Sequence, residues 1–288
     1  RTLATIDANE TVFDALKIAF DEGRISFLVT GSNPAYLSTV AKKRLQRRAD
    51  QILMLPISLR ELCVHNNFAV EPMAFEILLR KSQNLNEIVM PKNLDSPEIK
   101  QLISSYFKFG GLPLALLGED EEDKLREIRL TTERGFDLMM RDNASLAEAV
   151  RIELAKLQSQ EFTYKTIFDN TRTRQRELVN KVIDELMNHG YLFKKTPKLL
   201  FPGKSSYLSV FSYTDPGIVN YLSYNHSVPK GFQIEGYVHS RLSMMIYNSV
   251  YKAEIHYFKP HEVDTNGNIR YQKGEIDFIY SLGKRMIP

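Results

Sequence analysis

Apolar positions along this 288-residue chain recur in more than one rhythm. Residues 11–22 place Val12, Leu16, Ala19 and Phe20 on one face at helical spacing, with Gly23 as the stop. The short apolar run Ile25, Phe27, Leu28 and Val29 predicts a strand that ends at Thr30-Gly31-Ser32-Asn33. Residues 35–45 predict a helix closing in Lys42, Lys43 and Arg44, with Arg47 and Arg48 just beyond. Ile52 to Leu55 predicts the next strand, followed by Pro56-Ile57-Ser58. A buried strand ending in small hydroxyl and amide residues is how open α/β sheets present polar groups to a ligand. The same residues also serve as plain loop punctuation.

From Ser58 to about Ala144 the rhythm becomes helical. Leu59–Leu62, Phe75–Leu79, Ile99–Phe107 and Leu125–Met140 each carry apolar residues at i, i+3, i+4. Ser96-Pro97-Glu98 predicts a helix start, with Ser as cap and Pro in the first turn. Gly110-Gly111 predicts a helix stop before Pro113. Residues 145–224 read as a winged helix. Helices are expected over Leu146–Leu157, Phe162–Phe168 and Arg174–Asn188, and wing strands from Tyr191–Phe193 and Ser206–Ser212. The last portion predicts a helix over Gly231–Tyr247, then strands at Ile255–Phe258, Gly274–Tyr280 and from Lys284. Thr265-Asn266-Gly267-Asn268 is a hairpin-turn signal, so His261, Glu262 and Asp264 beside it read as a solvated loop.

Composition narrows this little. Hydrophobic content of 43% and charged content of 25% are ordinary globular values, which argues against wholesale disorder. No run approaches the roughly 18 apolar residues that cross a membrane. The lone Cys63 cannot form an intrachain disulfide, which suits a reducing cytoplasm. A net charge of +3 is too small to argue for nucleic acid by itself. Its distribution says more: Arg172, Arg174, Arg176 and Lys181 lie on or before the third helix of the winged module, and Lys194 and Lys195 in its wing. That helix would enter a DNA major groove by its amino end. A module that only joins domains or meets another protein is the alternative reading.

Taken in order, these motifs resemble a family of archaeal and bacterial AAA+-like ATPases that carry a carboxyl-terminal winged helix and a PD-(D/E)XK nuclease-like region. The resemblance rests on the strand ending in Thr30-Gly31-Ser32-Asn33, the basic segment with paired arginines and Pro56-Ile57-Ser58-Leu59 with Glu61. It rests also on Tyr106 with Gly110-Gly111 and Pro113, Thr163-Tyr164 ahead of the third helix, and Asp215-Pro216-Gly217-Ile218. It implies α/β plus α architecture. A partial P-loop-type core is expected over 1–64, a helical region over 65–144, the winged helix over 145–225, and a truncated α/β nuclease-like domain over 226–288.

The resemblance further implies a nucleotide sensor at Thr30, Ser32 and Asn33, a nucleotide-facing Arg47 or Arg48, and Asp7 as the remaining acid of a magnesium-holding strand. ATP with Mg²⁺ is the implied cofactor. No Gly-x-x-x-x-Gly-Lys-[Ser/Thr] occurs in the sequence, however, and Asp7 lacks the following glutamate. An ATPase activity is therefore left open. In the nuclease-like region the implied ligands of a divalent metal are Glu235, Glu275 and Asp277, two residues apart on one strand face in the last pair. The sequence stops at Pro288, where the family continues into Glu-x-Lys. The expected function is an ATP-binding switch coupled to a winged helix that engages double-stranded DNA or a partner protein. Its oligomeric state is open, since Arg48 could serve its own subunit or a neighbour's in a homo-oligomer. The alternatives are a non-catalytic DNA-binding or scaffold protein, and a metal-dependent nuclease.

Overall fold

The computed structural model describes residues 10–23, 25–31, 37, 39–45, 48–68, 96–137, 144–198, 208–224, 226–248, 253–263, 269–271, 273–282 and 285–287. Among these residues the fold is mixed α/β, with helices on an open mixed sheet. No helix among them is long and apolar enough to cross a membrane.

Helix α1 (Glu10–Asp21) buries Phe13 against Val40 and Leu45, with Leu16, Phe27 and Val29 packed around them. Ala41–Leu45 forms one π-helical segment in place of the end of the regular helix expected over 35–45. The two strands expected next do not form among the described residues. Residues 25–31 and 49–55 join no ladder, although residues 51–55 alternate between half-buried and exposed as a strand would. A strand exists only where a neighbour takes its backbone groups, and none lies alongside among the described residues. Leu28, Ile52 and Met54 are accordingly exposed. The expected helix at Phe75–Leu79 lies outside the described residues.

Further on, local signals and structure agree. Helix α2 (Leu59–His65) starts at a full capping box, Ser58 with Glu61. Helix α3 (Pro97–Phe109) is capped by Ser96 and stops at Gly110, whose φ of 76° is glycine territory. Helices α4 (Pro113–Leu117) and α5 (Glu121–Asp137) follow, the latter with three acids in its first turn, where the helix dipole favours them. Then come α6 (Ala144–Lys156), strand β1 (Glu161–Phe162), α7 (Tyr164–Asn170) and α8 (Arg176–Asn188). Helix α8 buries Val179, Val182, Ile183 and Leu186, one stripe at helical spacing. Strands β2 (Leu192–Pro197) and β3 (Ser209–Tyr213) form an antiparallel hairpin, and β1 joins on the far side of β3.

One core runs from Phe109 and Leu112 through α4 to α8, β2, β3 and helix α9 (Pro216–Leu222) to Val228. The boundary expected at 144/145 therefore has no break in packing beneath it. Helix α10 (Lys230–Tyr247) meets the sheet through His239 and Glu235; it buries Gly236, His239, Ser240 and Arg241, while Leu242, Met245 and Ile246 are only half-buried. Strand β4 (Ala253–Phe258) pairs antiparallel with β7 (Ile276–Leu282), which pairs with β8 (Arg285–Ile287). The residues expected as a loop at His261 form a small separate hairpin, β5 (His261–Val263) with β6 (Ile269–Tyr271).

Strand β2 unites the two halves. It pairs with β3 through Lys195↔Val210, then runs parallel to β4 from Thr196↔His256. The result is a six-stranded sheet in the order β1-β3-β2-β4-β7-β8, which crosses the boundary expected at 225/226. Ile183 is fully buried in the shared core and Ile18 is 58% exposed. Ile183→Ala should lower the unfolding free energy by about 2–5 kcal/mol in urea denaturation. Ile18→Ala should stay within about 0.5 kcal/mol of wild type.

Candidate functional site

Three sequence motifs far apart in the chain meet at one place. The backbone of Pro56–Leu59 is held on several sides. Ile57 donates its amide to the Gly111 carbonyl at 2.8 Å and accepts from Tyr106 Oη at 2.9 Å. Arg241 of α10 donates Nη1 to the Pro56 carbonyl at 2.9 Å and Nη2 to Tyr106 Oη at 3.0 Å. Leu59 donates its amide to Tyr237 Oη at 3.1 Å. Tyr106, Phe107 and Tyr237 meet edge to face around this point, with the Arg241 guanidinium 5.2 Å from the centre of the Tyr237 ring.

Asp215 ties the second and third motifs together. Its side chain is fully buried at the start of α9. It accepts the amides of Gly217 at 2.8 Å and Ile218 at 3.2 Å within its own helix, and that of Gly111 at 2.7 Å from 104 residues away. The approach is so close that a Cβ on Gly111 would stand 1.9 Å from the Ile57 carbonyl oxygen. Burial pushes the Asp215 carboxyl up to about 6, against the opposing pull of the three amides and of Arg241.

Of the expected nucleotide-facing residues, Thr30 and Arg48 are described. Thr30 is exposed in an irregular segment, and a Cβ on Gly31 would stand 2.9 Å from the Leu37 side chain. Arg48 binds Asp21 of its own chain at 2.5 Å, which holds the Asp21 carboxyl below its usual range. Asp7, Ser32, Asn33 and Arg47 lie outside the described residues. The clamp and this segment are linked through Leu53, whose amide and carbonyl both bond the Asn248 side chain, at 2.8 and 2.9 Å. That amide takes the place of a neighbouring strand. Cys63 is buried, and burial raises its thiol, so it is not itself an activated nucleophile.

A basic surface surrounds the amino end of α8. Arg172, in a left-handed turn at φ 52°, Arg174, Arg176 and Lys181 are all exposed, and Lys194 is exposed on β2 over the Tyr164 and Phe211 rings. Glu177 and Asp184 share the exposed face of α8, so the positive charge concentrates in the turn before the helix. Lys195 does not belong to this surface. It is 1% exposed, and its side chain points under α10, so it cannot reach a DNA backbone.

There Lys195 Nζ donates to Glu235 Oε1 at 2.5 Å and to the Asp277 carbonyl at 3.0 Å, with the Phe278 ring centre 4.4 Å away. Lys259 pairs with Glu161 at 2.6 Å nearby. Burial pushes the Glu235 carboxyl up while Lys195 opposes it, and Glu275 is raised by burial and then by Glu161. Glu275 and Asp277 are both exposed. Among the described residues no three His, Cys, Asp or Glu side chains converge as a metal-binding group. An ammonium already bonded to Glu235 leaves a donor set that does not fit the divalent metal expected for Glu235, Glu275 and Asp277. Sequence reasoning missed Lys195 as an internal partner because its neighbour Lys194 is exposed; only the inward-facing position at 195 in the strand marks the difference.

Compared with known proteins, the chain matches no family model, no curated protein and no solved structure.

Asp215→Asn turns an N–H toward backbone amides and should cost about 1–3 kcal/mol by chemical denaturation. Because the folded value of Asp215, about 6, exceeds the ordinary 3.8, its proton is held more tightly in the folded chain. The stability of wild type relative to Asp215→Asn should therefore fall as pH rises from about 4 to about 6 and level off above. Gly111→Ala should destabilise by more than about 2 kcal/mol in the same assay.

Proposed function

We propose that this chain is a nucleotide-responsive switch of the AAA+ type whose output is a winged helix. The observation that carries this reading is the clamp on Pro56–Leu59. The segment that follows Thr30–Gly31 and the basic stretch is gripped at once by α3, by the Gly110–Gly111 turn and by α10. A shift in that segment would be passed to elements that pack on α6 to α8 and the β2–β3 hairpin, through one continuous core. Thr30, Ser32 and Asn33 would sense ATP with Mg²⁺, with Arg47 or Arg48 facing the phosphates and Asp7 near the metal. These 288 residues hold no phosphate-cradling Gly-x-x-x-x-Gly-Lys-[Ser/Thr], and the proposal is one of ATP binding, with hydrolysis left open.

The order α6, β1, α7, α8, β2, β3, with β3 between β1 and β2, supports the winged-helix reading. The exposed Arg172, Arg174 and Arg176 at the amino end of α8 favour double-stranded DNA as its target. A second reading is an ATP-independent scaffold that meets a protein. The interleaved Glu177 and Asp184 on the same helix face favour it.

Calorimetric titration with ATP and Mg²⁺ separates the two: binding at micromolar affinity is expected for the switch, and absence of heat selects the scaffold. For the DNA contact, duplex binding followed by fluorescence anisotropy at graded salt should weaken in Arg172→Ala/Arg174→Ala. The slope of log affinity against log salt should drop by about 2. An unchanged slope and affinity would remove DNA from the proposal.

A further inference from the structure

Lys195 occupies the one residue at which β2 changes partners. Its backbone pairs with Val210 on β3, and the next residue, Thr196, pairs with His256 on β4. The side chain leaves the sheet toward α10 and is 1% exposed, among the largest fully buried side chains of the described chain. An ammonium removed from water this completely needs a compensating charge and full use of its donors. Glu235, from α10, supplies the charge at 2.5 Å, and the Asp277 carbonyl, from β7, supplies a second acceptor at 3.0 Å. The rings of Phe278 and Tyr257 cover it at 4.4 and 5.7 Å. Three parts of the fold thus meet on one nitrogen: the wing strand, the covering helix and the last hairpin.

A divalent cation would need several oxygens around it at about 2.0–2.6 Å. Here the half-buried Glu235 carboxylate already bonds an ammonium, and the side chains of Glu275 and Asp277 are exposed. A second positive centre on Glu235 would also be repelled by Lys195 inside a region of low dielectric. Lys195 cannot swing aside without leaving its own charge buried and unpaired.

We infer that the Lys195 ammonium is the resident cation at the Glu235 carboxylate in place of a divalent metal, and that the Lys195–Glu235 pair is a lock fastening the wing hairpin to the carboxyl-terminal layer. Glu235 then serves cohesion between the two halves of the sheet, and metal-dependent phosphodiester cleavage is not its role. The pair also connects any force on the wing directly to α10, the helix whose Arg241 grips Pro56.

Mn²⁺ serves as the probe. Calorimetric titration of the whole chain with millimolar Mn²⁺ should show no saturable binding, and Mn²⁺ should leave the melting temperature unchanged. Lys195→Met and Glu235→Gln should each lower the melting temperature by about 5–10 °C. Lys195→Met/Glu235→Met, which removes both charges at once, should recover most of that loss. A single variant that fails to fold beside a folded double variant supports the lock equally. Saturable Mn²⁺ binding by the wild type that disappears in Glu235→Gln would overturn the inference, because the carboxylate would then hold a metal. Strictly additive losses in the double variant would overturn the lock.

Discussion

Much of this architecture depends on one buried carboxylate. Asp215 caps its own helix α9 through two amides and reaches across to a third on Gly111. A carboxylate without water must be met by donors, and the chain meets it with backbone groups from two segments. That requirement draws the Gly110–Gly111 turn against the start of α9, and only residues without a Cβ allow the approach. With Gly111 fixed, its carbonyl receives the Ile57 amide. The described residues up to Phe68 are thereby attached to the helical core.

Arg241 completes the junction from the other side. Its guanidinium spans the Pro56 carbonyl and the Tyr106 hydroxyl, so α10 reads the position of the same segment that Gly111 holds. Asn248, at the end of α10, repeats the tactic one step upstream by bonding both backbone groups of Leu53. A single helix therefore carries contacts to the segment 53–59, to β3 through His239 and Ser212, and to the wing strand through Glu235. His239 can serve there only as a neutral ring, since burial pulls it down to about 3. This makes α10 the mechanical axis of the described chain, and it explains why the buried face of α10 is built from Gly, His, Ser and Arg more than from large apolar side chains.

The two ionic arrangements divide the work between surface and interior. Arg172, Arg174 and Arg176 stand in water, where charge acts at long range and is screened by salt. Lys195 stands out of water against a half-buried Glu235, where the pair is little screened by salt and ties one strand to one helix. Adjacent lysines in one strand, 194 and 195, thus have opposite fates because side chains alternate across a sheet.

Helices with strong local signals were legible in the sequence: the Ser96-Pro97 start, the Gly110-Gly111 stop and the apolar stripe of α8 each act within a few residues. The basic cluster before α8 was legible for the same reason. The strands expected at 25–29 and 52–55 were not decided there, because an apolar run becomes a strand only if another strand lies beside it, and that neighbour is a property of the whole chain. The parallel pairing of β2 with β4, the meeting of Ile57, Gly111, Asp215 and Arg241, and the inward turn of Lys195 likewise join residues up to 185 positions apart. Sequence determined the short-range elements through caps, periodicity and turns. Tertiary structure alone decided which polar groups left water together, since that depends on which distant partner arrives to meet them.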